Sequence, residues 1–290
     1  MIPAAFDYHA PSTLDEALQL LARHGDAAKL LAGGHSLIPA MRFRLAQPEV
    51  LIDLNKLDTL RYVREEGGAL VIGAMTPEAW LEESAVVQQR FPLLADAVAV
   101  IADPLVRNRG TVGGNLAHAD PANDQPAVML AHGATIVAHG AHGRRTIAID
   151  DFFVSLFESA LQPGEIMVEI RVPAPAPSSG GAYVKMERKV GDYATSAVAV
   201  QLTMSGQTIA SARVALTNVN PVPMRSAGAE AALVGKAATE EVLEAAGKAA
   251  AAECDPSSDL RGTAEFKRDI TRVLAKRAIR RAVARAQGRS

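Results

Sequence analysis

The sequence contains a single cysteine, Cys254, among its 290 residues. One thiol excludes a disulfide within the chain, a cysteine-rich zinc site and an iron–sulfur cluster held by this chain alone. No stretch is apolar for the length that a membrane span needs, and the first residues lack the pattern of a secretory signal. The formal net charge of −2 gives no reason to expect a nucleic-acid partner. We therefore expect a globular cytoplasmic protein, whose electron relay beyond any organic cofactor would belong to another polypeptide.

The sequence also lacks the common signatures of nucleotide-binding loops. It has no G-x-G-x-x-G where a strand leads into a helix and no G-x-x-x-x-G-K-[ST]. An ordinary single-loop dinucleotide site is therefore disfavoured. The G-x-S-x-G motif of α/β-hydrolases is absent as well, so a hydrolase built on His35 and Ser36 has little support.

The chain does contain two double-glycine loops. The first glycine loop is Ala32-Gly33-Gly34-His35-Ser36, and the second is Arg109-Gly110-Thr111-Val112-Gly113-Gly114-Asn115. Adjacent glycines let successive backbone N–H groups point into one concavity and approach a phosphate closely. The two loops together therefore indicate a phosphate or pyrophosphate site, although a Gly-Gly pair alone marks a turn more often than a ligand site.

Hydrophobic periodicity predicts a mixed α+β protein without the regular alternation of a barrel. Strands are expected over 28–31 and 50–54, and a helix is expected to start at Thr76-Pro77-Glu78, with Thr76 as the cap and Pro77 at the first helical position. Helical pattern continues to about residue 102. Residues 173–181 are rich in proline, serine and glycine, and we predict a domain boundary there. Three strands and then alanine-rich helices follow it.

A final helix is predicted over 263–286, and it carries many arginines and lysines. Such a charge run can bind a membrane surface or an acidic partner. An apolar stripe runs along the same helix at near-helical spacing, so we interpret the basic residues as its solvated face.

Two polar segments are further candidates. Residues 118–124 offer one histidine and two aspartates, which could be metal ligands but are more simply a polar turn. Asp124 lies close in sequence to the second glycine loop, where a carboxylate can accept hydrogen bonds from a ribose. Residues 185–193 read as a hairpin connection, and Tyr193 at its tip could stack on a planar heteroaromatic ring.

Taken together, the two loops, Asp120-Pro121-Ala122-Asn123-Asp124 and Lys189-Val190-Gly191-Asp192-Tyr193-Ala194-Thr195 resemble one family. It is the FAD-binding medium subunit of the molybdenum hydroxylases, the xanthine dehydrogenase family, and its carbon monoxide dehydrogenase branch is the most similar. The resemblance covers essentially the whole chain. It implies a two-part FAD-binding domain of the vanillyl-alcohol-oxidase (PCMH) type over 1–176, with subdomains of roughly 1–55 and 56–176. A smaller α+β domain would follow over 177–290.

The resemblance also implies roles for individual residues. The two loops would grip the FAD pyrophosphate and neighbouring groups, Asp124 would meet the adenosine half, and Tyr193 would lie near the isoalloxazine. Ile101 falls where relatives with other substrates carry an aromatic residue against the flavin, so aromatic cover from that side is in doubt. No catalytic or metal-binding residue is expected in this chain. The implied cofactor-binding set is Ala32, Gly33, Gly34, His35, Ser36, Leu37, Ile101, Thr111, Val112, Gly113, Gly114, Asn115, Asp124, Lys185 and Tyr193.

Partners follow from the same resemblance. The complete enzyme of this family has a large subunit with molybdopterin cytosine dinucleotide, a small subunit with two [2Fe–2S] clusters and this flavoprotein, assembled as a dimer of heterotrimers. In the carbon monoxide branch, copper would lie beside molybdenum, CO and water would give CO2, and a quinone would accept the electrons. Association with the inner face of the membrane would occur through partners. Two alternatives stay open: the same subunit in a hydroxylase of an N-heteroaromatic, purine or acyl-CoA substrate, and a free-standing flavin oxidase.

Overall fold

The computed structural model describes residues 2–289, which form three larger sheets, a two-stranded ribbon and eleven α-helices. The strands are β1 (Asp7–His9), β2 (Ala28–Leu31), β3 (Val50–Asp53), β4 (Val63–Glu66), β5 (Ala69–Gly73), β6 (Thr135–Gly140), β7 (Gly143–Ala148), β8 (Phe153–Ser155), β9 (Glu158–Ser159), β10 (Ile166–Pro173), β11 (Ser179–Glu187), β12 (Ala194–Ser205), β13 (Thr208–Thr217) and β14 (Met224–Arg225). The helices are α1 (Leu14–His24), α2 (Leu37–Arg42), α3 (Glu78–Glu83), α4 (Ala85–Arg90), α5 (Pro92–Val98), α6 (Pro104–Arg107), α7 (Val112–His118), α8 (Asp124–His132), α9 (Ala227–Leu233), α10 (Glu240–Ala252) and α11 (Ala264–Ala286).

The first sheet is parallel, with strand order β1-β3-β2. Parallel neighbours need a crossover, and α1 and α2 provide the two connections. Ala17 and Leu21 of α1 share a buried cluster with Val50 and Ile52 of β3. The first glycine loop leaves the carboxyl end of β2, which is where ligands commonly bind in open parallel sheets.

The second sheet is antiparallel, with strand order β4-β5-β10-β6-β7. Some of its apolar residues and those of α5, α7 and α8 form one large core, to which Leu70, Ile72, Leu94, Leu116 and Val128 belong. This core lies directly behind the second glycine loop, because α7 begins within that loop.

The third sheet is antiparallel, with strand order β11-β12-β13-β14, and both of its faces are buried. Side chains alternate along a strand. Ala197 and Ala199 of β12 therefore join the core of α5 and α8, while Val198 and Val200 join the core of α9, α10 and α11. Burial on both faces explains why the first seven residues of β12, 194–200, are all buried. The predicted division at 176/177 falls between β10 and β11 and stays a prediction.

Two details of helix starts differ from the expectation. Helix α3 begins at Glu78 with Pro77 as its N-cap, because the Thr76 hydroxyl is hydrogen-bonded to the backbone N–H and C=O of Tyr62 instead. The helical pattern, which was expected to continue to about residue 102, stops at Val98, where α5 ends, and a new helix, α6, starts at Pro104. The Asp103 carboxylate accepts from the Val106 N–H and caps α6, which then leads into the second glycine loop.

The basic residues of α11 form a solvated face only in part, because Arg268, Arg277 and Arg280 are exposed whereas Lys267 is buried. Lys267 is 1% exposed, and its ammonium donates to the Ser257 carbonyl and to the Asp259 carboxylate. Arg281 and Arg285 both reach Asp96 of α5. Burial of the Lys267 cation is tolerated because it meets an acidic partner. Among residues 2–289, no helix is both long and apolar enough to cross a membrane.

Candidate cofactor site

The two glycine loops touch each other, and their glycines make this contact possible. A Cβ built on Gly33 would overlap the Arg109 carbonyl and the Cα of Gly110. A Cβ built on Gly114 would lie 2.7 Å from the Thr111 hydroxyl oxygen and 3.3 Å from Cβ of Ala32. The glycines thus allow close packing of one loop on the other.

The first glycine loop keeps its backbone donors free. Within the described part of the chain, the N–H groups of residues 33–36 donate to no other protein atom. Gly34 has a φ of +80°, a conformation that favours glycine. The exposed His35 forms a hydrogen bond through Nδ1 with the Gly33 carbonyl at 3.0 Å. Four adjacent free donors are suited to an anion.

The second glycine loop has its backbone donors engaged by the protein itself. Four successive N–H groups, at residues 112–115, are hydrogen-bonded at 2.9–3.1 Å. The bonds join Val112 to Thr76, Gly113 to Ala74, Gly114 to the Thr111 hydroxyl, and Asn115 to the Thr111 carbonyl. What this loop offers a ligand is therefore its side chains. The Asn115 Oδ1 is buried without a hydrogen-bond partner among residues 2–289, which suits a hydroxyl donor.

Two asparagines hold the loops in place, and the sequence interpretation did not include them. Asn55, just after β3, donates through Nδ2 to the Ala32 carbonyl at 2.8 Å. Asn123 donates through Nδ2 to the Asn115 carbonyl at 3.0 Å. Nothing in the sequence marks Asn55. Asn123 stands beside Asp124, and that proximity is a signal that could have identified it.

Asp124 lies at the start of α8 in a buried polar cluster that links α8 to β11. Its Oδ1 accepts from the Tyr183 hydroxyl at 2.6 Å, and its Oδ2 accepts from the Lys185 ammonium at 3.0 Å. Lys185 also donates to the Val100 carbonyl at 3.0 Å and lies 3.3 Å from a carboxylate oxygen of Glu187. Burial raises the pKa of Asp124, and the Lys185 charge opposes that shift. The Lys185 ammonium therefore donates to two acceptors and forms an ion pair with Glu187, and the Lys185 side chain is 3% exposed.

Tyr193 lies on a loop that is packed against the segment of Ile101. A Cβ on Gly191 would lie 2.8 Å from the Ala102 carbonyl, so these two backbones are in close contact. Ile101 itself is 6% exposed, whereas Tyr193 is 43% exposed. The Arg261 guanidinium carbon lies 5.5 Å from the Tyr193 ring centre, and Arg261 also donates to Asp192 at 2.8 Å.

The predicted residues therefore lie in one continuous band. It runs from the two glycine loops through Asn115 and Asn123 to Asp124, then through Lys185 and Val100 to the loop of Tyr193. Lys185 and Tyr193 come from the third sheet and its loop, and the other members come from the N-terminal part of the chain.

Comparison with known proteins identifies the family. A family model described as the FAD binding domain in molybdopterin dehydrogenase matches residues 4–175, and one described as the CO dehydrogenase flavoprotein C-terminal domain matches residues 181–282. The chain belongs to the FAD-binding subunit family of the molybdopterin dehydrogenases. For this flavoprotein, the order of an FAD-binding domain followed by a second α+β domain confirms the predicted fold class.

The chain is similar over nearly its whole length to two relatives and to one solved structure. The flavoprotein is 52% identical to the carbon monoxide dehydrogenase medium chain of Hydrogenophaga pseudoflava, over 98% of this chain and 99% of that one. It matches a solved structure of Cu,Mo-CO dehydrogenase in its cyanide-inactivated form with a TM-score of 0.95 and 44% identity, over 98% and 100% of the two chains. It is 37% identical to subunit alpha of the 6-hydroxypseudooxynicotine dehydrogenase complex of Paenarthrobacter nicotinovorans, over 99% and 97%.

FAD is the cofactor of this family, and the residues present fit it. The four free N–H groups of the first glycine loop match the acceptor oxygens of a pyrophosphate. The unpartnered Asn115 Oδ1 matches a hydroxyl donor, such as those of a ribityl chain or a ribose. The exposed Tyr193 ring offers a face to a planar heteroaromatic group.

Proposed function

We propose that this flavoprotein is the electron-transferring medium chain of an aerobic, molybdenum-containing carbon monoxide dehydrogenase. The observation that carries the proposal is the 52% identity, over almost the whole of both chains, to a carbon monoxide dehydrogenase medium chain. Identity to the subunit of the 6-hydroxypseudooxynicotine complex is 37%, which favours carbon monoxide over an N-heteroaromatic substrate.

In the proposed reaction, CO and H2O give CO2, two protons and two electrons on a large partner chain that holds molybdopterin cytosine dinucleotide with copper beside molybdenum. Two [2Fe–2S] clusters of a small partner chain carry the electrons onward to this chain. FAD accepts electrons singly or in pairs, and so it can link one-electron carriers to a two-electron acceptor, here a quinone. The single cysteine of this chain agrees with the clusters being held elsewhere. The complex would be a dimer of heterotrimers.

The residues of this chain would bind and orient the cofactor. The free N–H groups of the first glycine loop, with the Ser36 hydroxyl, would hold the pyrophosphate, while Thr111 and Asn115 would add side-chain contacts. Asp124 would meet the adenosine half through lone pairs not used by Tyr183 and Lys185. The Lys185 ammonium is enclosed by protein acceptors, so we assign it chiefly to holding Asp124 in place. Tyr193 and Ile101 would border the isoalloxazine.

The experiment is purification of the full chain together with the proteins that bind it in its own cell. We expect flavin and iron–sulfur absorption in one complex, and bleaching of both when CO is added without oxygen. A quinone should then restore the oxidised spectrum. Bleaching by an N-heteroaromatic, purine or acyl-CoA substrate, with no response to CO, would support the other hydroxylase. A catalytically self-sufficient monomer would overturn the proposal, and cell fractionation would test a cytoplasmic location at the inner membrane face.

A further inference from the structure

A carboxyl group and a carboxamide group meet in full burial beneath the second glycine loop. Glu78, the first residue of α3, is 2% exposed, and Gln125, the second residue of α8, is fully buried. Gln125 Nε2 donates to Glu78 Oε2 at 2.7 Å. The other oxygen of each group, Oε1 in both residues, is buried without a hydrogen-bond partner among residues 2–289. We call these two residues the acid–amide pair.

One proton would satisfy both unpartnered oxygens. An ionised carboxylate only accepts hydrogen bonds, and the oxygen of an amide does the same, so neither Oε1 can bond to the other while Glu78 is charged. A neutral Glu78 has one O–H donor. The bond between Nε2 and Oε2 already joins the two planar groups, and donation from Glu78 to Gln125 Oε1 would complete a two-bond ring. A buried polar group without a partner is costly, so this arrangement favours the neutral acid.

The charges around Glu78 shift its pKa in both directions, and the effect of burial is larger than theirs. Burial raises the pKa of Glu78 to about 8, and the negative charge of Asp124 on α8 adds to that rise. The hydrogen bond from Gln125 and the positive charge of Arg107 on α6 oppose it. Arg107 is itself neutralised by the Glu82 carboxylate, at 2.7 and 3.0 Å.

The acid–amide pair is attached to the second glycine loop through the main chain. The Glu78 N–H donates to the Gly110 carbonyl at 2.9 Å. Two residues earlier, the Thr76 carbonyl accepts from the Val112 N–H at 3.0 Å. The segment that carries Glu78 therefore packs against the second glycine loop and is hydrogen-bonded to its main chain.

We propose that Glu78 holds a proton at neutral pH and that the acid–amide pair positions the second glycine loop for FAD, so that ionisation of Glu78 weakens FAD binding. The effect on FAD binding rests on the proposed function, whereas the proton on Glu78 does not. A negative charge formed under the loop would break the ring of two hydrogen bonds and oppose the negative pyrophosphate. Glu78 is a positioning residue here, since it acts through the loop.

The test compares the wild type with Glu78→Gln, which keeps the shape of the neutral acid, and with Glu83→Gln, which removes an exposed charge from the same helix. FAD affinity of the full chain, with its partners, is measured from pH 6 to pH 10. Above pH 8 the wild type and Glu83→Gln should lose up to about tenfold in affinity for each pH unit. The affinity of Glu78→Gln should stay constant. Infrared spectra should contain a protonated-carboxyl band at neutral pH that Glu78→Gln lacks.

The outcomes test separately the proton on Glu78 and its effect on FAD binding. Absence of that band from the wild type at neutral pH, or a wild-type affinity as independent of pH as that of Glu78→Gln, overturns the inference. If Glu78→Gln does not fold, spectra of wild-type protein labelled with carbon-13 glutamate decide the question, since the band must fade as the pH rises through 8. Failure of every variant to bind FAD at any pH would overturn the proposed function, while the band would still report the proton on Glu78.

Discussion

The two glycine loops have similar sequences but opposite hydrogen-bonding states. The N–H groups of residues 33–36 in the first loop are free, whereas those of residues 112–115 in the second are all bonded to protein acceptors. The first loop is half-buried with an exposed histidine, and Thr111, Val112 and Gly113 of the second are buried. A double glycine therefore serves two different structural roles. In the first loop it accompanies free backbone donors, and in the second loop it allows tight packing against the neighbouring protein segment.

The difference also changes the reason for the glycines. From the sequence, they were expected to let the backbone approach a phosphate. In the structure, Gly33 and Gly114 let one loop pack on the other, and Gly113 is packed against Ala74. Close approach to the neighbouring protein segment is thus an established use of these glycines, and approach to the cofactor stays a prediction.

The largest effect is expected on stability, from adding a side-chain atom at Gly113 in the tightly packed second glycine loop. In Gly113→Ala the new Cβ would lie 2.6 Å from the Cβ and carbonyl oxygen of Ala74. Overpacking of this kind costs about 1–3 kcal/mol, so the midpoint of denaturant unfolding should fall even without FAD. Lys248→Ala in α10 is the control, because the Lys248 side chain is exposed and α10 takes no part in the second glycine loop. Equal stability of Gly113→Ala and the wild type would show that the second glycine loop is not tightly packed against Ala74.

A smaller effect is expected from straining the first loop. Gly34 has a φ of +80°, and a Cβ there meets mainly the flexible end of Ile38. A non-glycine residue in this conformation costs about 1–3 kcal/mol, and the FAD-free loop of Gly34→Ala can relax out of it. FAD affinity should therefore fall about tenfold, because binding has to restore the strained conformation. Gly34→Asn should keep more of the affinity, because asparagine tolerates positive φ. Unchanged FAD affinity in Gly34→Ala would remove this loop from the site.

An effect of about the same size as the previous one is expected without any substitution. Amide hydrogen exchange at residues 33–36 should be fast in the FAD-free chain and slow by about tenfold when FAD binds, which corresponds to about 1.4 kcal/mol. Exchange at residues 112–115 should be slow in both states, because those N–H groups are already bonded. The same protection change in both loops would contradict the contrast between them.

The sequence was sufficient to predict local features and the family. The strand Ala28–Leu31 was predicted from residues that lie close together in the chain. The FAD cofactor was predicted from the resemblance of several motifs, spread over the chain, to one family. The partners of the second loop could not be predicted, since Ala74 and Thr76 lie more than thirty residues before the N–H groups they bond. The role of Arg285 escaped prediction for the same reason, because Asp96 is 189 residues away. Hydrogen-bond partners are a property of the folded chain, and a motif does not contain them.

The third sheet has a consequence for how this protein can be divided. One face of β12 belongs to the core of the FAD-binding part, and the other belongs to the core of the C-terminal helices. A truncation after β10 would leave the apolar sides of α5 and α8 exposed to water, as a contiguous patch of the kind that drives aggregation. The boundary between the two family matches is therefore not a place where the chain can be cut without exposing this core.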